Sequence, residues 1–310
     1  MTRIHLSIPT APARSPLVAV ILSLAATGLG QIYCGRIARG LVMFLGSLLF
    51  APAIVVAALL PPATVVLVGL ILVLLTVLGV YVFAVVDAFR LAHRGRDLFR
   101  SMDYNHPLVY ALFILVGLTY SAGGLYFLRS SVFEAFAIPT ASEVPTLLPG
   151  DRVLVNKTTY QRRLVRRGDE VVFRVPSESG LNWVKRVIAV PGDTVEVKDN
   201  EVVVNGQPLP REPAPRASLG TASPLVKGEL FEETNTGRRY RILFASDTKP
   251  LPDYPEAKVP DGMCFVLGDN RNNSRDSRTM GYVALGDVLG EVQYRYWPAA
   301  TWTRFGVLTD

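Results

Sequence analysis

Hydrophobic residues are distributed along this chain in two different ways. Up to about residue 128 they run in long, nearly unbroken blocks, at residues 17–33, 41–60, 64–86 and 107–128. Beyond that point they alternate with polar residues over short stretches. As helices, the last three blocks are long enough to cross a bilayer core of roughly 30 Å. The first is shorter and carries Ser23, Thr27, Gly28, Gly30 and Gln31, which fits either a tight span or a re-entrant hairpin. No small-residue cleavage site follows it and another block begins at once, so it does not read as a cleavable signal peptide. Residues 1–128 are therefore expected to form an α-helical, multi-pass membrane domain with three or four segments.

From Val132 onward the apolar pattern has a period of two and is divided by Gly, Pro and Asn-Asp turns. Strands are predicted at residues 170–175, 183–190, 194–197, 201–204 and 264–267, with Asp199-Asn200 as the turn between the third and fourth. The expected fold class is mainly β, an antiparallel barrel- or sandwich-like domain over residues 129–310.

Charge adds a topology. Arg90, Arg94, Arg96 and Arg100 lie between the third and fourth blocks, Arg36 and Arg39 between the first and second, and the Pro61-Pro62-Ala63 link has no charge. Basic loops stay in the cytoplasm, which places everything after the fourth block outside. Arg3 and Arg14 favour an N-terminus on the inner side, and with it a re-entrant first block. The net charge of +6 divides into +5 before residue 129 and +1 after it. The outer part lacks the basic excess that a nucleic-acid partner requires, so none is expected, and the lipid bilayer is. Cys34 and Cys264 fall on opposite sides of the expected membrane and cannot pair. With no histidine in the outer part no zinc ligand set exists there, and no metal or cofactor is expected.

Candidate chemistry centres on residues 138–157. A turn-rich loop holds Ser142 between Pro139 and Pro145, then passes through Pro149-Gly150-Asp151 into a strand. Flanking prolines restrict the backbone, which is how a nucleophile is displayed and also how an ordinary turn looks. The three histidines, His5, His93 and His106, all precede the serine and lie in or beside apolar blocks. A Ser-His-Asp triad in the outer part is excluded. Lysine is the other common base, provided burial lowers its pKa from roughly 10.4. Of the six lysines after Ser142, only Lys185 lies inside an apolar strand, sharing a face with Trp183 and Val187. A base and a lysine snorkelling from an edge strand both fit that position.

These residues sit in a larger pattern. The run Thr140-Ala141-Ser142-Glu143-Val144-Pro145-Thr146-Leu147 resembles the serine motif of bacterial type I signal (leader) peptidases, Ser-x-Ser-Met-x-Pro-Thr-Leu. Further motifs similar to that family follow in order: Gly150-Asp151-Arg152-Val153-Leu154-Val155, then Arg167-Gly168-Asp169-Glu170-Val171-Val172-Phe173. After these come Val184-Lys185-Arg186-Val187 with Pro191-Gly192-Asp193, and Gly268-Asp269-Asn270-Arg271-Asn272-Asn273-Ser274-Arg275-Asp276-Ser277-Arg278. The resemblance spans residues 134–292. More weakly, Gly28, Gly30, Gly35 and Gly40 with their neighbours resemble a two-helix TM2-type membrane module, or simply two helices that use glycine for close approach.

The resemblance implies a membrane-bound serine endopeptidase that removes signal peptides from secretory precursors at the bacterial inner membrane. It implies Ser142 as nucleophile, Lys185 as base, Thr140 as oxyanion donor and Ser274 as the group that orients the lysine. Asp276 and Arg278 form a structural pair, and Phe136, Ile138, Leu147, Val153, Val172 and Val184 line pockets for small residues. The catalytic domain then faces the extracytoplasmic, periplasmic side, and residues 196–260 form a variable, β-rich cap without a catalytic role. A specialised maturation peptidase of the same family, or an inactive membrane scaffold, is the alternative. Glu143 departs from the motif, which has Met there. Either it faces Lys185 and favours the ammonium, or it turns to solvent or to Arg152.

Overall fold

The apolar blocks become helices and the alternating stretches become strands. The structure is a computed structural model that describes residues 14–58, 63–94, 105–175, 180–216, 226–246, 248 and 252–308. Arg3, His5, the Pro61-Pro62 pair, Arg96, Arg100 and Lys249 lie outside the described residues. The chain divides into two compact units, Met1–Ser130 and Ser131–Asp310.

The first unit contains α1 (Pro16–Ala25), α2 (Leu29–Tyr33), α3 (Ile37–Ser47), α4 (Phe50–Ala58), α5 (Ala63–Arg94) and α6 (Pro107–Phe127). Among the described residues three stretches are helical, long and apolar enough to cross a membrane: Ile37–Ala57, Val65–Arg94 and Pro107–Val132. The first apolar block is not one of them. It breaks at Gly28, whose φ is +91°, and its longer piece, α1, has 10 residues. At 1.5 Å per residue that spans about 15 Å, half a bilayer core. A Cβ on Gly28 would lie 2.1 Å from the Gly40 carbonyl oxygen, so glycine here lets two backbones touch. Arg90 and Arg94, expected in a loop, are helical instead, and Arg94 sits in the last turn of α5, where a cation complements the helix dipole. The buried Gln31 amide donates to the Ala84 carbonyl at 2.7 Å and to Asp87, which also binds Arg39 at 3.0 Å.

The second unit is built of short antiparallel strands. In chain order they are β1 (Phe133–Ala137), β2 (Arg152–Asn156), β3 (Glu170–Arg174), β4 (Asn182–Ala189), β5 (Thr194–Lys198), β6 (Glu201–Val204), β7 (Gln207–Pro208) and β8 (Arg211–Pro213). β9 (Gly228–Asn235), β10 (Arg238–Ala245), β11 (Tyr254–Lys258), β12 (Met263–Leu267), β13 (Val283–Ala284), β14 (Val288–Trp297) and β15 (Gly306–Val307) complete the set. The main sheet runs β1-β2-β14-β3-β4-β12-β13, with β15 also on β14. One end of β14 pairs with β3 and the other with β2, meeting at Glu291, so this strand carries the turn of the sheet between its two halves.

Alternation sorts the apolar residues into two cores. Val171, Phe173, Val187, Cys264 and Val266 pack on one side. Val153, Val155, Val172 and Val292 pack on the other, joined by Ile138 and Leu147 from the loop after β1. The interval between β4 and β12 forms two smaller sheets, β11-β5-β6-β7 and β10-β9-β8. The second of these lies against the loop after β1, where Val144 and Leu148 pack with Val226, Leu230 and Leu243.

Candidate active site

The loop between β1 and β2 is tied at its neck and filled from both sides. Ile138 N–H donates to the Asp151 carbonyl at 2.9 Å, and Gly150 N–H to that of Ile138 at 2.7 Å. Asp151, fully buried, accepts from Leu148 N–H at 2.8 Å and from Arg304 at 3.0 Å. Leu147 plugs the loop into the core beneath it. Asn270 holds the loop from the far side, donating from its N–H to the Ser142 carbonyl at 3.0 Å and from its amide to the Ala141 carbonyl at 3.0 Å. The Val144–Pro145 peptide is cis. Gly268 is needed at this approach, since a Cβ there would lie 2.6 Å from the Ser142 carbonyl oxygen and 2.2 Å from Ser274 Oγ.

The loop brings Ser142 onto β4. Lys185 Nζ lies 2.8 Å from Ser142 Oγ, 2.7 Å from Glu143 Oε1 and 2.7 Å from the Val184 carbonyl oxygen. With 3% of its surface exposed, Lys185 does not snorkel. Thr140 Oγ1 is 3.3 Å from Ser142 Oγ on the solvent side.

Glu143 takes the first of the two courses open to it. It turns neither to solvent nor to Arg152; it is 1% exposed and paired with Lys185. Burying a carboxylate is costly without a partner, and the lysine amine one strand away supplies it. Glu143, Glu170 and Asp269 come together, each offering an oxygen within 4.8 Å of the others. This spacing resembles a cation cage, but the chain's own cations already occupy it. Arg186 binds Asp269 through Nε at 2.7 Å and Nη2 at 2.6 Å, and reaches Glu170 at 3.5 Å. Three carboxylates thus face two cations in a buried space. Burial pushes the Glu143 carboxyl up to about 8, with the Lys185 charge opposing the shift, and pushes that of Glu170 up to about 7, with Arg186 opposing.

Ser274 departs from the expected arrangement. Its Oγ is buried without a hydrogen-bond partner, and the place it was expected to take beside the lysine is held by Glu143. A charged oxygen makes the stronger bond to an amine. Asp276 and Arg278 are paired at 2.8 and 2.7 Å, and Asp276 also accepts from Gly268 N–H at 3.1 Å, so the pair fixes the segment behind Ser142. A cleft of about 410 Å³ opens beside Ser142 and Lys185, lined by Phe136, Ile138, Val184, Leu181, Trp183 and the serine loop itself. Of the six expected lining residues, Leu147, Val153 and Val172 do not reach it. They have no exposed surface and belong to the core below, on the same face as the cleft but covered by it: Val153 is paired with Phe136 and Val172 with Val184, and the lining residues pack over all three.

Asp269, Arg186, Glu170 and Asn270 were not singled out in the sequence, although all four lie inside the motifs that carry the resemblance. The signal available was charge in an apolar context: Arg186 interrupts an apolar strand and Glu170 opens a valine-rich one. Chemically, the arrangement offers a hydroxyl in contact with an amine and a carboxylate, at the edge of a cleft with an apolar wall. That is the equipment of an acyl-transfer site.

The family described as signal peptidase, peptidase S26, matches residues 107–297. Among curated proteins, a probable signal peptidase I-1 from Synechocystis sp. is 34% identical over 189 residues, which cover 59% of this chain and 80% of that protein. A signal peptidase I from Pseudomonas aeruginosa is 39% identical over 194 residues, covering 54% of this chain and 63% of that protein. A solved signal peptidase I from Enterococcus faecalis V583 aligns at 30% identity over 42% of this chain and 97% of that one, with a TM-score of 0.27, too low for the superposition to carry weight.

Proposed function

This chain belongs to the signal peptidase family, peptidase S26, and from that premise we propose that Ser142 and Lys185 are the nucleophile and base with which it removes signal peptides from secretory precursors. The single observation that carries the assignment is the 2.8 Å contact between Ser142 Oγ and the buried Lys185 Nζ, among motifs in the family's order. Ser142 Oγ attacks the carbonyl carbon of the residue before the cut, its proton leaves to the basic group beside it, and that proton is returned to the leaving amine. The Ser142 N–H and the Thr140 hydroxyl are the proposed oxyanion donors. Phe136, Ile138 and Val184, on the apolar wall of the cleft, take the small residues at −1 and −3. Ser274 has no assigned role in this reading.

The membrane part fits the same function. In this reading the three long apolar helices, Ile37–Ala57, Val65–Arg94 and Pro107–Val132, are crossings, with Arg36, Arg39, Arg90 and Arg94 on the cytoplasmic side. The second unit then lies on the other, the extracytoplasmic face of the bacterial inner membrane, where precursors emerge. The lipid bilayer is thus a partner and nucleic acid is not. Detergent-solubilised protein is incubated with a preprotein, as wild type and as Ser142→Ala and Lys185→Ala. Both variants should fail to cleave while remaining folded, and the double variant should be no worse than either, because the two residues act as a unit. Near-normal turnover in Lys185→Ala would sink the assignment of the base.

A further inference from the structure

The Lys185 amine is surrounded by three acceptors at 2.7–2.8 Å: Ser142 Oγ, Glu143 Oε1 and the Val184 carbonyl. An ammonium has three N–H donors and no lone pair, so this set is complete for the charged form. The Ser142 hydroxyl accepts from the amine, and its own hydrogen has Glu143 Oε1 within reach at 3.2 Å, with Thr140 Oγ1 at 3.3 Å as the other oxygen nearby. With the lysine in that charged form it has no place for the serine proton, and the carboxylate has one. Ser274, the expected lysine partner, is buried with its hydroxyl unpartnered, so the amine is oriented without it. The second oxygen of Glu143 is likewise buried and unpartnered. Nothing in the loop fixes that carboxyl except the amine and the nucleophile.

We propose that Glu143 is a catalytic residue, and that the proton of Ser142 is taken by a Lys185–Glu143 pair, making the site a Ser–Lys–Glu triad. The proposal rests on the reading of Ser142 as nucleophile and amends that of Lys185, giving the role of base to the pair in place of the lysine alone. As Ser142 Oγ bonds to the scissile carbonyl carbon, its proton passes to Glu143 Oε1, and the Lys185 ammonium, in contact with both oxygens, stabilises the charge developing on Oγ. When the C–N bond breaks, the pair gives one proton to the leaving nitrogen and returns to its starting state. In the second half a water oxygen attacks the acyl carbon, its proton goes to the pair, and Ser142 Oγ departs and takes that proton back. One proton is borrowed and returned in each half, and no other reactant is needed. At 2.7 Å the amine and carboxyl exchange protons directly, so they titrate as one pair.

The groups facing the pair are Glu170 from β3, Arg186 from β4 and Asp269 from the segment after β12. Next to burial, which is the larger cause, Asp269 and Glu170 also raise the Glu143 carboxyl by repulsion. Together these favour the protonated carboxyl, against the attraction of Lys185. The pair becomes able to accept a proton only after that first proton is lost, so activity should rise through an apparent pKa of about 8.

The test measures kcat and KM for cleavage of a peptide with alanine at −1 and −3, from pH 6 to 10. It uses full-length solubilised wild type, Glu143→Gln, Glu143→Asp and Glu143→Met, with circular dichroism to verify folding. In the triad, Glu143→Gln and Glu143→Met lower kcat by about 10²–10⁴-fold, with KM nearly unchanged. Their acidic limb no longer follows the Glu143 carboxyl, because the group that set it has been removed. Glu143→Asp keeps a carboxylate and recovers part of the loss, which a purely structural role for the side chain would not give. A simple dyad requires the reverse: without the carboxylate the ammonium is less stable, so Glu143→Gln and Glu143→Met cleave at least as fast at neutral pH and their limb moves down. That outcome overturns the triad. Loss of cleavage in Ser142→Ala but not in wild type is the separate control on the functional reading, so failure of the triad is distinguishable from failure of that reading.

Discussion

Leu147 separates two accounts of how the serine loop works. By motif it belongs to the substrate pocket; in the structure it has no exposed surface and fills the core with Ile138, Val153, Val155, Val172 and Val292. Its N–H also closes the turn that carries the nucleophile, donating to the Glu143 carbonyl at 2.9 Å. Leu147→Ala removes a fully enclosed side chain from a site whose neighbours come from three strands, β2, β3 and β14, and cannot all collapse inward. The expected loss is about 2–5 kcal/mol, a large part of the ~5–15 kcal/mol that holds a domain folded. For a unit the size of Ser131–Asp310, each kcal/mol moves Tm by about 2–4 °C, so melting should fall by about 4–20 °C. The loop should also lose its anchor, lowering kcat, while the preference among peptides varied at −1 and −3 stays as in wild type. Thermal melting by far-UV circular dichroism, together with cleavage of a small peptide panel, reads both effects. A Tm within about 2 °C of wild type combined with an altered residue preference would refute the reasoning and restore Leu147 to the pocket wall.

Asp269→Asn deprives the buried Arg186 of its two-point partner and should cost about 3–5 kcal/mol, measured as a fall in the denaturation midpoint; an unchanged midpoint would mean that Glu170 alone suffices for Arg186. Ser274→Ala deletes a hydroxyl that has no partner, so turnover and Tm should stay close to wild type, and a loss of turnover beyond about 10² would show that the hydroxyl reaches the lysine during the reaction. Burial raises the Glu143 carboxyl from 4.5 to about 8, so between those values the folded state holds a proton that the unfolded chain has released. Its contribution to stability is present below about pH 4.5 and is lost as the pH rises through about 8. Tm should therefore fall more steeply over that window in wild type than in Glu143→Gln, and parallel Tm profiles would contradict the burial of this carboxyl.

Much of this protein is legible along the chain. Bilayer-length apolar blocks dictate helices because a backbone in lipid must satisfy its own hydrogen bonds, and period-two alternation dictates strands with one face inward. Lys185 was found by the same logic, as the only lysine after Ser142 inside an apolar strand. The break of the first block at Gly28 was visible only as composition; the close approach to Gly40 that requires it is a tertiary fact. The polar centre belongs wholly to the tertiary structure. Glu143, Glu170 and Asp269 are far apart in sequence, and nothing local states that they share one buried space with Lys185 and Arg186. A motif supplied Ser274 as the lysine's partner and Leu147, Val153 and Val172 as pocket walls. The fold assigns the first position to Glu143 and sends the other three into the core. Which side of a pleat a residue faces follows from its neighbours; which charge it meets there depends on the register of distant strands and on how a loop lies across them, and only the packed sheet fixes that.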